Sequence, residues 1–312
     1  MESKRGRIIA IWGNPYAGKS TIATALAAMA AKDGKDSIIV FSDNVTPMIS
    51  IALAGINTKV NVTKSIGKIL STPDFTQESV VEQMTIVGNH IGILSYAPLE
   101  NSATYPAYKK EIAVSLLGTL REMADYIFVE CSSAFLYSML SITALEYADS
   151  VIRVITPDLK SISFFDSSLS LLQDTRYRAN NHFCVLNGIK PFSVESVVMQ
   201  RYGNIKVRLP YVTDIDRQFD EGQMLQPIPV NSRTKPFIKG LTLLYKTVVS
   251  GSSIQSMPKK KAMLAKNVSK ESVEHAKASA AKVAETGDIA TNENATKKGG
   301  SKLGFFGIKG DK

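Results

Sequence analysis

Residues 8–21 read Ile8-Ile9-Ala10-Ile11-Trp12-Gly13-Asn14-Pro15-Tyr16-Ala17-Gly18-Lys19-Ser20-Thr21. A short apolar run enters G-x-x-x-x-G-K-S, and an Ala-rich, helix-favouring stretch over residues 22–31 follows at once. Strand, glycine-bearing turn and helix is the context in which this pattern holds phosphates. Gly13 and Gly18 let the backbone bend and bring its N–H groups against phosphate oxygens. The positive end of the following helix strengthens the field at that point. Lys19 offers a point charge for the β- and γ-phosphates, and the Ser20 hydroxyl can ligate Mg²⁺. The stretch from Gly13 through Asn14, Pro15, Tyr16, Ala17, Gly18, Lys19 and Ser20 to Thr21 therefore predicts a nucleoside triphosphate site. The bland alternative is an ordinary βα turn.

Outward from this stretch the chain alternates strand-like and helix-like segments. Ser37–Phe41 is rich in β-branched residues and reads as a strand buried on both faces. Residues 46–86 read as helical and irregular, with breaks near Gly67 and Pro73. Strands are expected at residues 91–95, at Tyr126–Glu130, at residues 151–155 and at residues 183–186. Helices are expected over residues 109–123 and near residues 161–172. Repeated βα units predict an α/β, doubly wound, mostly parallel sheet with ligands at the carboxyl ends of its strands. Asp43, Glu130 and Asn187 all fall at such ends. Glu130 can hold Mg²⁺ or orient an attacking water; its bland reading is a carboxylate that caps the next helix. Asp43 can position water or complete the metal shell, or merely form an Asx turn. His90, His182 and His275 have no partners at metal or triad spacing and are assigned no chemistry.

The formal charge of +9 is uneven: residues 251–312 hold twelve lysines against six acids. The remainder is only mildly basic, which argues against a strong nucleic-acid footprint on the folded part. Cys131 and Cys184 share no zinc or C-x-x-C spacing and read as reduced, buried thiols of a cytoplasmic protein. Residues 8–12 are too short for a signal sequence, and no stretch approaches the ~20 apolar residues of a membrane span.

Gly13–Thr21 together with Asp43 resembles the MinD/ParA group of P-loop ATPases, and more narrowly the CpaE/TadZ-type and ParA-like proteins of pilus, secretion and mobile-element clusters. The likeness continues through residues 94–105, 125–133, 155–161 and 185–190 to Leu209-Pro210-Tyr211, and so spans nearly all of residues 1–248. The resemblance implies ATP and Mg²⁺ as ligands, with Lys19 on phosphate and Ser20 on the metal. Asp43 then positions the hydrolytic water and Glu130 matches the switch II acid. Asn187 contacts adenine, and the Pro210 region closes the base pocket. It also implies a nucleotide-gated homodimer. Two departures stand out. Asn14 replaces a second loop lysine that reaches a partner's phosphates, and Glu130 replaces the usual Asp. Both weaken the expectation of stimulated hydrolysis.

The expected organisation is an ATPase domain over residues 1–250, a Lys/Ala-rich linker over 251–302 and a short apolar, basic docking peptide over 303–312. Such a linker cannot bury enough surface to fold alone. The Leu303 to Ile308 cluster suits a protein partner or a weak contact with an anionic membrane. Three functions compete. A spatial organiser would recruit or position a pilus- or secretion-type machine. A DNA partition ATPase would hold phosphates on Arg201, Lys206, Arg208, Arg217, Arg233, Lys235 and Lys239. A tyrosine or small-molecule kinase is disfavoured, because no Tyr follows Tyr245 and no second polar substrate pocket is evident.

Overall fold

The computed structural model describes residues 6–54 and 63–251. The expected linker and docking peptide beyond residue 251 lie outside the described residues.

Among the described residues eight strands form one sheet: β1 (Arg7–Gly13), β2 (Ser37–Phe41), β3 (Thr85–Val87), β4 (Ile91–Leu94), β5 (Tyr126–Glu130), β6 (Ser150–Ile155), β7 (Phe183–Ile189) and β8 (Ile205–Pro210). Their spatial order is β3-β4-β2-β5-β1-β6-β7-β8. Every neighbouring pair is parallel except β3 with β4. The chain winds outward in both directions from β1, with β5, β2 and β4 on one side and β6, β7 and β8 on the other. Ligands of open α/β sheets bind at that switch point.

Helices cover both faces. They are α1 (Lys19–Lys32), α2 (Ile49–Leu53), α3 (Ile66–Leu70), α4 (Gln77–Gln83), α5 (Lys110–Met123), α6 (Met139–Tyr147), α7 (Leu159–Ser168), α8 (Glu195–Tyr202), α9 (Thr213–Asp220) and α10 (Lys235–Leu244). The period-2 pleat of β1 divides the core. Ile9 and Ile11 join Ile22 and Leu26 of α1 and Leu241 of α10 on one face. Ile8, Ala10 and Trp12 join Leu116 of α5, Leu140 of α6 and Phe165 of α7 on the other. Both faces are buried, which is why β1, β2 and β5 read as unbroken apolar runs rather than alternating ones. Cys131 and Cys184 are free and buried, as expected.

Two strands escape the sequence reading. β3 is three residues long and pairs only with β4. β8 alternates exposed Lys206 and Arg208 with buried Val207 and Leu209, an edge pattern that its charges disguise. Gly67 lies inside α3 rather than at a break, and the Tyr105 ring fills the space a Cβ there would need. The helix expected near residue 161 starts earlier, at Leu159, where Asp158 accepts from Ser161 N at 2.8 Å.

Candidate functional site

The turn from β1 into α1 lies at the switch point, and its two glycines are needed for different reasons. A Cβ on Gly13 would sit 2.1 Å from the Val154 carbonyl oxygen of β6. Gly18 has φ +82° and faces Asn187 Nδ2, 2.4 Å from where its Cβ would be. Tyr16 is also left-handed, at φ 59°, yet it carries a fully exposed aromatic ring. Side chains other than Gly, Asn and Asp seldom adopt this conformation, and strain of this kind concentrates at functional positions. No side chain caps α1, so its first N–H groups stay available to an anion.

Lys19, Ser20 and Glu130 converge within this turn. Glu130 ends β5 and is paired in register with Ile11 of β1 and Phe41 of β2. Ser20 Oγ donates to Glu130 Oε1 at 2.8 Å, while Glu130 Oε2 is buried with no hydrogen-bond partner among the described residues. Burial pushes the Glu130 carboxyl up to about 7, with Asp43 adding to the rise and Lys19 and Ser20 opposing it. Burial likewise lowers the Lys19 ammonium, against the opposing pull of Glu130 and Asp43. A buried oxygen without a partner beside a hydroxyl is what a hard cation would complete. Ser20 and Glu130 thus fit Mg²⁺. Among the described residues no group of three or more His, Cys, Asp or Glu is gathered as a metal cage. That suits an ion that takes most ligands from phosphates and water.

Ser133 was not anticipated. Lys19 Nζ donates to its Oγ at 2.7 Å and more weakly to the Asn14 carbonyl at 3.4 Å. The Ser133 carbonyl accepts from Trp12 Nε1 at 3.1 Å, and the Trp12 ring packs edge-on against Phe135 and Phe165. The single tryptophan therefore positions the loop on which the lysine rests. Only the packing of β1 under the segment after β5 brings these residues together.

Asp43 follows β2 by two residues, and its Oδ1 accepts from Val45 N at 2.8 Å and Thr46 N at 3.3 Å. This is the Asx turn foreseen as its bland reading, placed close enough to Lys19 and Glu130 to act on both electrostatically. Asn14 is turned inward and only 5% exposed. Its amide bonds Thr156, Ser161 and the Pro15 carbonyl, so its side chain is spent within the protomer.

Beside the turn opens a cavity of about 540 Å³, lined by Tyr16, Gly18, Thr21, Asn187, Pro210 and Tyr211 among others. Asn187 Nδ2 donates to the Ala17 carbonyl at 2.8 Å. The Lys190 ammonium lies 4.5 Å from the centre of the Tyr211 ring. The volume lies in the ~300–1,000 Å³ range of ligand pockets. Around the same edge of the sheet, Tyr16, Val45, Leu99, Tyr137, Leu159 and Phe192 are all strongly exposed. Each follows a different parallel strand, so the topology alone gathers them. Leu99 is held at φ 71°, a second strained and fully exposed apolar residue.

Three of the seven basic residues considered for DNA are paired with carboxylates. Arg201 makes two 2.7 Å bonds to Asp166, Arg208 pairs with Glu195, and Arg233 pairs with Asp214. No described helix is long and apolar enough to cross a membrane.

An open parallel sheet with a phosphate loop at its switch point defines the P-loop NTPase architecture, and its mostly parallel eight-strand form is that of ParA and MinD structures. The ParA family ATPase from Chlorobium tepidum superimposes with a TM-score of 0.63 at 17% identity, over 78% of this chain and 100% of that one. A Borrelia burgdorferi structure described as a plasmid partition protein bound to AMPPNP gives 0.62 at 19% identity, over 78% and 100%. MinD from Pyrococcus horikoshii with Mg-ADP gives 0.58 at 16% identity, over 78% and 97%. No protein-family model matches the sequence, and no curated protein matches it.

Proposed function

We propose that this chain is a Mg-ATP-binding ATPase of the ParA/MinD type that works as a nucleotide-gated dimerisation switch. The observation that carries the reading is the buried Lys19–Ser20–Glu130 cluster at the end of β1, with one carboxylate oxygen left unpartnered. Lys19 and the loop N–H groups would hold the β- and γ-phosphates, and Ser20 with Glu130 would hold Mg²⁺. When bound, the metal supplies positive charge against the phosphate oxygens. Asp43, freed from its turn, would orient the water for in-line attack on the γ-phosphate. Asn187, Pro210 and Tyr211 would contact the base.

The exposed ring around the site supports dimerisation. Large apolar residues held in strained conformations at a ligand's rim are suited to a second surface closing over it. Lys19 rests on Ser133, and the same loop carries exposed Tyr137. Drawing Lys19 onto phosphate would release that loop and change the surface offered to a second copy. Recruitment of a pilus- or secretion-type machine is the role that the sequence resemblance favours for such a switch.

Calorimetry with ATP and Mg²⁺, followed by light scattering with a non-hydrolysable ATP analogue, tests both halves. Binding with a shift from monomer to dimer is expected. Absence of heat would end the nucleotide reading, and binding without a mass change would end the switch. A second reading, DNA partition, draws on the plasmid partition protein among the similar structures. The carboxylate-paired Arg201, Arg208 and Arg233 weigh against it. A gel shift at two salt concentrations separates the readings, since phosphate contacts weaken steeply with salt.

A further inference from the structure

Asn14 occupies a position where a polar side chain could face solvent or ligand, and instead all of its amide valences are consumed internally. Nδ2 donates to Thr156 Oγ1 at 2.9 Å and to the Pro15 carbonyl at 3.0 Å. Oδ1 accepts from Thr156 N at 3.2 Å and Ser161 Oγ at 3.1 Å. Thr156 is the first residue beyond β6, and Ser161 lies in the first turn of α7, where Asp158 also binds its N–H. Thr156, Pro157, Asp158 and Leu159 form one wall of the 540 Å³ cavity. From the neighbouring strand β7, on the same side of β1, Asn187 grips the loop through the Ala17 carbonyl. The loop is thus held at two points by amides, its own Asn14 and Asn187. Pro15 stiffens the residue after Asn14 by fixing φ.

Resting on the nucleotide-binding reading, we propose that Asn14 is a positioning residue that locks the phosphate loop to the β6–α7 wall. A single protomer then presents the loop ready for phosphates, so that a diphosphate binds without help from a second copy. A satisfied buried amide does what a mobile charged side chain cannot: it sets geometry in advance, so that less ordering is required when the ligand arrives. Truncating it leaves the Thr156 N–H and Ser161 hydroxyl unsatisfied and uncouples loop from wall.

The test uses the full chain, with ADP and adenosine as probes, by calorimetry at two protein concentrations a hundredfold apart. Wild-type binding of ADP is the control for the underlying reading, and without it both that reading and this proposal fall. Given such binding, Asn14→Ala should weaken ADP by about tenfold or more while changing adenosine by less than about threefold. Thr156→Val, which keeps shape but loses the acceptor, should give a similar loss, and Thr156→Ser should restore wild-type behaviour. The double variant Asn14→Ala/Thr156→Val should lose no more than either single one. Wild-type ADP affinity should be the same at both concentrations. Equal losses for ADP and adenosine would reduce Asn14 to general scaffolding and overturn the proposal. Additive losses in the double variant, or an affinity that depends on protein concentration, would also overturn it.

Discussion

The turn and the cavity beside it are built by opposite means. In the turn Lys19, Ser20 and Asn14, with Glu130 from β5, are mostly buried, and each already has a hydrogen-bond partner: Ser133 for Lys19, Glu130 for Ser20 and Thr156 for Asn14. In the cavity Tyr16, Phe192 and Tyr211 stand open to solvent around Asn187 and Pro210. Burying charge is expensive unless it is compensated, so the turn gives its ionisable groups hydroxyl partners, Ser133 for Lys19 and Ser20 for Glu130, before any ligand arrives. An apolar wall has no such requirement and can wait exposed. On the proposed reading, the difference teaches that the grip on phosphate belongs to the turn, while the choice of base and of partner belongs to the cavity.

The sharpest way to break this division is at Lys19. Lys19→Ala should lower ATP affinity by about a hundredfold or more, because a charge-assisted contact in a water-poor site has no substitute. Asp43→Ala should leave the dissociation constant within about threefold and slow phosphate release by about a hundredfold. Calorimetry paired with a phosphate-release assay separates these outcomes, and equal loss of binding in both variants would contradict the assigned roles. In the cavity, Tyr211→Ala should weaken ATP by only about fivefold, read by the same titration. A larger loss there than at Lys19 would invert the comparison.

Two smaller effects concern pH, and they run in opposite directions. Glu130 titrates near 4.5 when unfolded and near 7 when folded. The folded state therefore binds more protons in that window, and stability from this group is full below 4.5 and lost as pH rises through 7. The melting temperature of Glu130→Gln, measured without nucleotide, should gain on wild type as pH rises from 5 to 8. His182 is the reverse. Burial and Arg153 lower it to about 4, with Nδ1 accepting from Arg153 Nη2 at 3.1 Å and Nε2 donating to the Tyr177 carbonyl at 2.8 Å. Its neutral form stabilises the fold above 6.5, and that stability is lost as pH falls through 4. Acid melting curves of wild type should therefore drop between those values, and His182→Gln should flatten the drop.

Much of this was legible beforehand, for reasons that differ by residue. The G-x-x-x-x-G-K-S turn announces itself because one local backbone shape needs those residues in that order. β2 and β5 were readable to the residue because burial on both faces leaves an unbroken apolar run. β8 was hidden because an edge strand may keep Lys206 and Arg208 on its wet side. Ser133 was hidden because its role depends on Trp12 packing beneath it from 121 residues away. In the sequence Asn14 reads as part of the nucleotide site and as the loss of a cation; in the structure its amide is bonded internally, because Thr156 and Ser161 arrive from another strand and helix.

Local order in the chain thus determined that a glycine-bearing turn joins the first strand to a helix, that βα units repeat around it, and that acids stand at strand ends. The tertiary structure alone decided which of those groups meet. It rested Lys19 on Ser133, left Glu130 with one oxygen unpartnered, turned Asn14 inward and brought six exposed apolar side chains to one edge of the sheet. The physical reason is range. Turn geometry and hydrophobic period act over a few residues, whereas burial, and the hydrogen bonds that burial makes obligatory, are set by neighbours a hundred or more positions apart.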